Sequence, residues 1–407
     1  MTHIAYVSAD RGVPVFGRKG CSIHTQEVLR ALIRQGAQID LFASNLEGEP
    51  STGLDSVRFH PLPRSPKEDP AAREQASLAG NQDLRAGLAQ ARPFDFVYER
   101  YSLWSFAAME YARERRVPGL LEVNAPLIEE QAEYRVLIDR AAAERVAERV
   151  FAAASTLLPV SDEVAVYLER FPAARGKIQV LPNGVNPARF PVGLQRKLPA
   201  QPGVFTVGFV GTLKAWHGLA VLVEAFAQLH ARQSATRLLI VGYGPEYEKL
   251  VAEAAARGWH DVIHFTGGVD AAEVPGWLAS MDVAVAPYPP LANFYFSPLK
   301  VYEYMACRLP VVVSRIGQLE ELIIPDVNGI LVPPGDAGAL AAALERLLLD
   351  PELRQRLGDA GRETILSAYT WDQVAQRILR YAHQPPDGGP EINPVVEPGP
   401  NGEHGPA

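Results

Sequence analysis

The residue run with the clearest chemistry in this chain is Phe294-Tyr295-Phe296-Ser297-Pro298-Leu299-Lys300-Val301-Tyr302-Glu303-Tyr304-Met305-Ala306. Ser297 is a good N-cap and Pro298 suits the first helical position, so a helix opens here. Its free amides at Leu299 and Lys300, with the positive end of the helix dipole, make an anion site. The dipole disfavours a cation in the first turn unless an anion is present, so Lys300 argues for a bound phosphate. The competing reading pairs Lys300 with Glu303 at i, i+3 on a surface helix. Glu303 reaches ligand hydroxyls in the first reading and solvent in the second.

A second loop, Gly211-Thr212-Leu213-Lys214-Ala215-Trp216-His217-Gly218, lies between a strand and a helix. Lys214 and His217 would there neutralise a departing phosphate group. The alternative is a polar loop whose Trp216 packs on its own domain. In the first half, Glu122 and Asn124 stand at a strand end, where ligand-contacting groups project. Tyr98, Glu99, Arg100 and Tyr101 end another strand. His24 opens the first helix, either facing a ligand or as a structural histidine. The Asp10-Arg11-Gly12-Val13-Pro14 run reads as loop architecture.

Short β-branched runs alternating with helical patterns must position these groups, which is the signature of a parallel sheet buried on both faces. Strands are expected at 4–8, 39–43, 96–98, 120–123, 157–160 and 178–181 in the first half. In the second half they are expected at 205–210, 238–241, 262–265, 283–286, 311–313 and 330–332. The first helix is expected at 25–35, ending at Gly36, after a glycine-bearing loop that presents backbone amides to a ligand. Pro187, Pro191, Pro199 and Pro202 interrupt the pattern. The expected organisation is therefore α/β in two doubly wound parallel-sheet domains, 1–190 and 204–383, joined by a linker at 191–203. The proline- and glycine-rich tail, 384–407, is expected to be disordered.

A net charge of −8 argues against nucleic acid as a partner. Cys21 and Cys307 give neither metal-ligand spacing nor a disulfide framework, which fits a reducing cytoplasm with no bound metal. The opening residues lack the pattern of a secretory leader, and no apolar run of about 18 residues could span a membrane. The stretch 131–154 carries Arg135, Arg140, Arg145 and Arg149, matched by Glu133, Asp139, Glu144 and Glu148. A solvated, salt-bridged helix is the favoured reading; a weak peripheral membrane contact is the other.

Several pieces of the second half, in order, resemble the donor domain of retaining GT-B glycosyltransferases of family four. They are Val210-Gly211, Leu239-Ile240-Val241-Gly242-Tyr243-Gly244-Pro245, Asp282-Val283-Ala284-Val285-Ala286-Pro287, Glu303-Tyr304-Met305-Ala306, Pro310-Val311-Val312, Asn328-Gly329 and Val332-Pro333-Pro334-Gly335-Asp336. The first half is similar more loosely, through Lys19-Gly20-Cys21, His24, the Asn183-Gly184-Val185-Asn186 turn and Phe190.

The resemblance implies a GT-B fold and metal-free transfer of a hexosyl unit, with retention of configuration, from a nucleoside diphosphate sugar to a hydroxyl acceptor. The donor would be held by Gly20, Gly211, Gly244, Gly267, Val269, Tyr295, Ser297, Pro298, Leu299, Lys300 and Glu303. Lys214, His217, Lys300 and Asn124 form the expected catalytic set, with His24, Glu99, Glu122 and Asn124 on the acceptor side. The family commonly has two glutamates separated by seven residues; Glu303 fits the second and Tyr295 occupies the first. Thr212 and His217 stand where the family usually has Arg and Lys, and Asn124 where it often has His. These departures keep a catalytically silent nucleotide-sugar-binding module as the alternative. A nicotinamide-dependent dehydrogenase is disfavoured, because no G-x-G-x-x-G follows the first strand.

Overall fold

The computed structural model describes residues 1–50, 52–66, 69–297 and 299–384. Pro298 and residues 385–407, including nearly all of the expected tail, lie outside the described residues. The strands are β1 (His3–Ser8), β2 (Gln38–Ala43), β3 (Arg58–Pro61), β4 (Phe96–Arg100), β5 (Gly119–Val123), β6 (Thr156–Pro159), β7 (Phe205–Val210), β8 (Thr236–Val241), β9 (Ile263–Phe265), β10 (Val283–Ala286), β11 (Val311–Ser314) and β12 (Ile330–Val332). They form two six-stranded sheets, ordered β3-β2-β1-β4-β5-β6 and β12-β11-β10-β7-β8-β9. Every strand pair is parallel. Central strands such as β5 and β7 are buried along their whole length, which is why they read as mainly apolar runs, with Glu122 the charged exception in β5.

Counted from its own first strand, each sheet has the same order. The order reverses between β1 and β4 in the first sheet and between β7 and β10 in the second. Open parallel sheets bind ligands at such reversals, beyond the carboxyl ends of the strands. Each sheet therefore offers one candidate ligand position, at its reversal.

The segment 178–181 is not a strand. It runs beside β6, with Leu157 and Ile178 forming an isolated bridge. Leu181 donates its amide to the Pro159 carbonyl, but Pro159 has no N–H to return a bond, so the ladder stops. The polar, half-exposed edge strand β3 escaped the sequence reading because it has no apolar run. The first helix begins at Gly20 rather than at 25, and runs to Arg34. Buried Ser22 and Thr25, weak helix formers, are held there by tertiary packing that overrides propensity.

The stretch 131–154 is two helices, Leu127–Tyr134 and Arg140–Ala153, separated at Arg135, whose backbone is extended. Arg135 pairs with Glu130, Arg140 with Glu144 and Arg149 with Glu110. Among the described residues no helix is long and apolar enough to cross a membrane.

The chain crosses between the halves more than once. Val185 and Phe190 bury themselves with Tyr302 and Tyr304 of the second half. The last helix, Trp371–His383, returns to the first half and opens on a capping box between Thr370 and Gln373. Its Trp371 packs edge-on against His24, with ring centroids 5.0 Å apart, among Ile4, Tyr6 and Leu29.

This return depends on Gly184, where an added Cβ would lie 2.7 Å from the Trp371 amide nitrogen. Gly184→Ala should cost about 1–3 kcal/mol through overpacking against backbone. Gly80→Ala, in the helix Pro70–Gln90 with nothing within 4 Å of the new Cβ, should be neutral or stabilising. Urea denaturation of the two variants checks the pair; equal midpoints would contradict the packing account.

Candidate functional site

At the reversal of the second sheet, β7 feeds the loop 211–218, and the chain after β10 leads to the helix Leu299–Ala306. Lys300 lies in the first turn of that helix. Its stem is partly exposed, but its Nζ is buried, with no hydrogen-bond partner among the described residues. The ammonium sits 4.4 Å from the ring centre of Phe209 and 5.6 Å from that of Tyr288. An added Cβ at Gly211 would lie 3.0 Å from it. Burial pushes the Lys300 pKa down to about 7. The i, i+3 pairing with Glu303 is not made, since Glu303 bonds Arg189 at 2.9 Å.

His217 stands beside this ammonium. Its Nδ1 donates to the Thr212 carbonyl at 2.6 Å, leaving Nε2 as the acceptor of a neutral ring. Burial, then the charges of Lys300 and Lys214, drive its pKa down to about 3 against the Thr212 bond. His217 is thus uncharged near neutral pH, so the positive charge expected of it must come from the two lysines. Lys214 lies 4.3 Å over the Trp216 ring, its pKa lowered mainly by burial. It feels the charges of Glu130, Arg135 and Lys19 from the first half. Trp216 faces that half too, 6.2 Å from Tyr134, rather than packing only on its own domain.

Gly244 lets the loop after β8 approach the loop after β7, since a Cβ there would lie 2.6 Å from both Leu213 N and O. Gly267 bridges Gly242, and Val269 packs half-buried against the second-half core. Leu299 packs against the first-half core instead. Gly20 is the first residue of its helix, with nothing within 4 Å of where a Cβ would stand. The helix start at Leu299 adjoins Lys300, and Lys214 feels the charges of Lys19 and Cys21 at the start of the Gly20 helix.

Ser297, the expected cap, also ties the two halves together. The hydroxyl accepts the Asn183 amide at 3.3 Å, and Asn183 Nδ2 donates to the Ser297 carbonyl at 3.0 Å. Tyr295 also reaches the first half: its hydroxyl donates to Glu130 at 3.2 Å, and its carbonyl accepts from Ser161 at 3.1 Å. The expected N1 residue, Pro298, lies outside the described residues.

The expected acceptor-side residues turn inward. Glu122 is buried and accepts from His24 Nε2 and Arg100 Nη1, each at 2.9 Å, and from Tyr98 and Asn124. Burial alone would raise its pKa, yet the charges and bonds of His24, Arg100 and Tyr98 hold it well below the carboxylate range. Asn124, like Arg100, is half-buried, whereas Glu122 and His24 are buried. His24 is 4% exposed and closed off by Trp371, which makes it a structural clamp rather than a cleft residue. Glu99 is fully buried, and burial pushes its carboxyl up to about 7 despite the bond from Ser105.

A cavity of about 670 Å³ lies at the reversal of the first sheet. Asp10, Arg11 and Gly12, read above as loop architecture, line it, together with Asn45 and Arg64. Its border includes Lys19, Glu130 and Arg135, the groups that face Lys214. Sequence reasoning missed Arg189 and Glu130 as well. Their only signal is polarity on loops or helix surfaces, and their partners are far away in the chain.

The Glu122 network generates a test. Its folded pKa is depressed, so its stabilisation is fully present above about pH 4.3, the unfolded value, and is lost as pH falls below it. Glu122→Gln should cost about 1–3 kcal/mol at pH 7. It should also make the loss of stability between pH 5 and 3 shallower than in the parent, read by denaturation at each pH; an unchanged slope would contradict the network.

Residues 18–189 match the family described as Glycosyltransferase Family 4, and residues 204–350 the one described as Glycosyl transferases group 1. A glycogen synthase of Mycobacterium tuberculosis is 30% identical over 218 residues, 53% of this chain and 50% of the relative. The chain thus spans only half the length of that relative. A D-inositol 3-phosphate glycosyltransferase of Pseudarthrobacter chlorophenolicus is 27% identical over 396 residues, 89% of this chain and 90% of the relative. Among solved structures, a sucrose-phosphate synthase from Thermosynechococcus elongatus superposes with a TM-score of 0.72 at 23% identity, covering 93% and 98% of the two chains. HepE of Anabaena, solved with UDP and glucose, gives a TM-score of 0.69 at 17% identity, covering 93% and 99%. The two reversed parallel sheets and these superpositions give the chain the GT-B fold, with a Glycosyltransferase Family 4 match in its first half and a Glycosyl transferases group 1 match in its second.

Proposed function

We propose that this chain transfers a hexosyl unit from a nucleoside diphosphate sugar to a hydroxyl acceptor, with retention of configuration and without a metal, in the cytoplasm. The observation that carries the reading is the buried, unpartnered Lys300 ammonium at the reversal of the second sheet. A diphosphate is the counter-charge such a nitrogen lacks. The HepE structure, solved with UDP and glucose, supports a nucleotide-sugar donor by analogy.

In this reading Lys300 and Lys214 hold the diphosphate between the helix N-termini at Gly20 and Leu299. Negative charge grows on the diphosphate as the glycosidic bond breaks, and fixed cations and amides lower that barrier without transferring a proton. Neutral His217 offers Nε2 as an acceptor for a sugar or substrate hydroxyl. The Glu303–Arg189 pair fixes the wall where the ribose would lie. The departing phosphate oxygen would take the acceptor proton on the same face of the sugar, giving retention; an inverted product would exclude this step.

One observation favours the silent binding module. Tyr295 stands where the family commonly has a glutamate, and its hydroxyl is committed to Glu130. Donor binding without turnover against any acceptor would support that reading.

The donor site is tested by thermal stability against UDP, GDP, ADP and NAD. One diphosphate should stabilise the parent by roughly 2.7 kcal/mol at one hundred times its dissociation constant, and should not stabilise Lys300→Ala or Glu303→Ala. Equal responses in parent and variants would refute the site, and loss of the Lys300 cation should lower kcat by roughly 10²–10³. A second outcome follows from burial. The folded state releases the Lys300 proton near pH 7, whereas the unfolded chain keeps it to about 10.4, so stability rises with pH across that window. Lys300→Met should remove this rise and stabilise the free chain at pH 7; a variant less stable than the parent would contradict the burial cost.

A further inference from the structure

The cavity at the reversal of the first sheet holds two guanidiniums, Arg11 and Arg64, that no carboxylate among the described residues compensates. Arg11 Nη1 donates to the Ser65 carbonyl, and Arg64 Nη2 donates to Asn45 Oδ1 at 2.9 Å. Neither arginine makes an ion pair among the described residues. Both are tied to one buried residue. Asn45, 8% exposed, donates Nδ2 to the Arg11 carbonyl at 2.9 Å, while its Oδ1 also accepts the Glu47 amide at 3.0 Å.

The acids around the cavity are largely spent on backbone. Asp10 Oδ1 accepts the Gly12 amide at 2.6 Å. Glu74 accepts the amides of Ile138 and Asp139 at 2.9 and 3.1 Å. Glu47 is exposed at the rim. Two planar forks, oriented by neutral acceptors and with further N–H groups that bond no other described residue, are suited to a phosphate or carboxylate.

We propose that this cavity takes an acceptor bearing an anionic group, gripped by Arg11 and Arg64, with its reacting hydroxyl toward the border shared with Lys214. The inference rests on the transferase reading for the word acceptor, but the anion grip stands on the cavity alone. A phosphate and a carboxylate share the chemistry, so both are tested.

The experiment is calorimetric titration of the full chain with a hexose monophosphate, the matching uronate and the neutral hexose, with and without the stabilising nucleotide. At least one charged sugar should bind roughly tenfold or more tightly than the neutral one. Arg64→Gln, on an exposed side chain, should erase that preference while leaving nucleotide binding unchanged, and Arg11→Gln should do the same. Which charged sugar binds identifies the group. Equal binding of all three sugars, no binding of either charged sugar, or a preference that survives both substitutions overturns the proposal. If a charged sugar binds in the expected Arg64-dependent way and no nucleotide binds, the anion site stands and the donor reading falls. If a nucleotide binds and the charge preference is absent, the donor reading stands and this inference falls.

Discussion

A buried ammonium without a counter-charge is costly, and that cost brings the Lys300 pKa down to about 7. The rings of Phe209 and Tyr288 offset part of the cost through their electron-rich faces. Much else in the second half follows from this placement. His217 is kept neutral by its burial first and by the neighbouring Lys300 charge second. Glu303, one turn along the helix, is drawn to Arg189 and so does not quench the lysine. The arrangement spends stability to hold a cation ready for an anion, as functional sites commonly do.

The same strand order gives the first half its counterpart. The cavity stands at the first reversal as the lysine site stands at the second, and Glu130, bonded to Tyr295, belongs to the border between them. Behind the cavity, the Glu122 cluster ties β5 to the first helix through His24, and His24 to the returning helix through Trp371. This buried charge network fixes the orientation of the strand ends that bound the cleft. The Asn183–Ser297 bonds and the Gln318–Val160 bond, at 3.1 Å, add further ties between the halves.

Much of the fold was legible, because parallel strands buried on both faces write themselves as apolar runs. The exceptions have local causes: Arg58-Phe59-His60-Pro61 is a polar edge, and Pro159 cannot complete a ladder beside 178–181. Lys300 was legible as a cation at a helix start. Its burial was not, because Phe209 reaches it from β7 and Tyr288 from the loop after β10. Glu122 was legible as a strand-end carboxylate, but three distant partners turned it into a structural anion. Arg11, Asn45 and Arg64 come from separate loops, so no spacing rule joins them.

The most direct test of the account is proton uptake on nucleotide binding. Calorimetry at about pH 8, above the value of about 7 that burial gives Lys300, would be run in two buffers of different ionisation enthalpy. A diphosphate seated against the lysine should restore its charge, so binding should take up close to one proton in the parent and none in Lys300→Met. Nucleotide binding with no net proton uptake would mean that the diphosphate does not meet this nitrogen, and the central claim would be wrong.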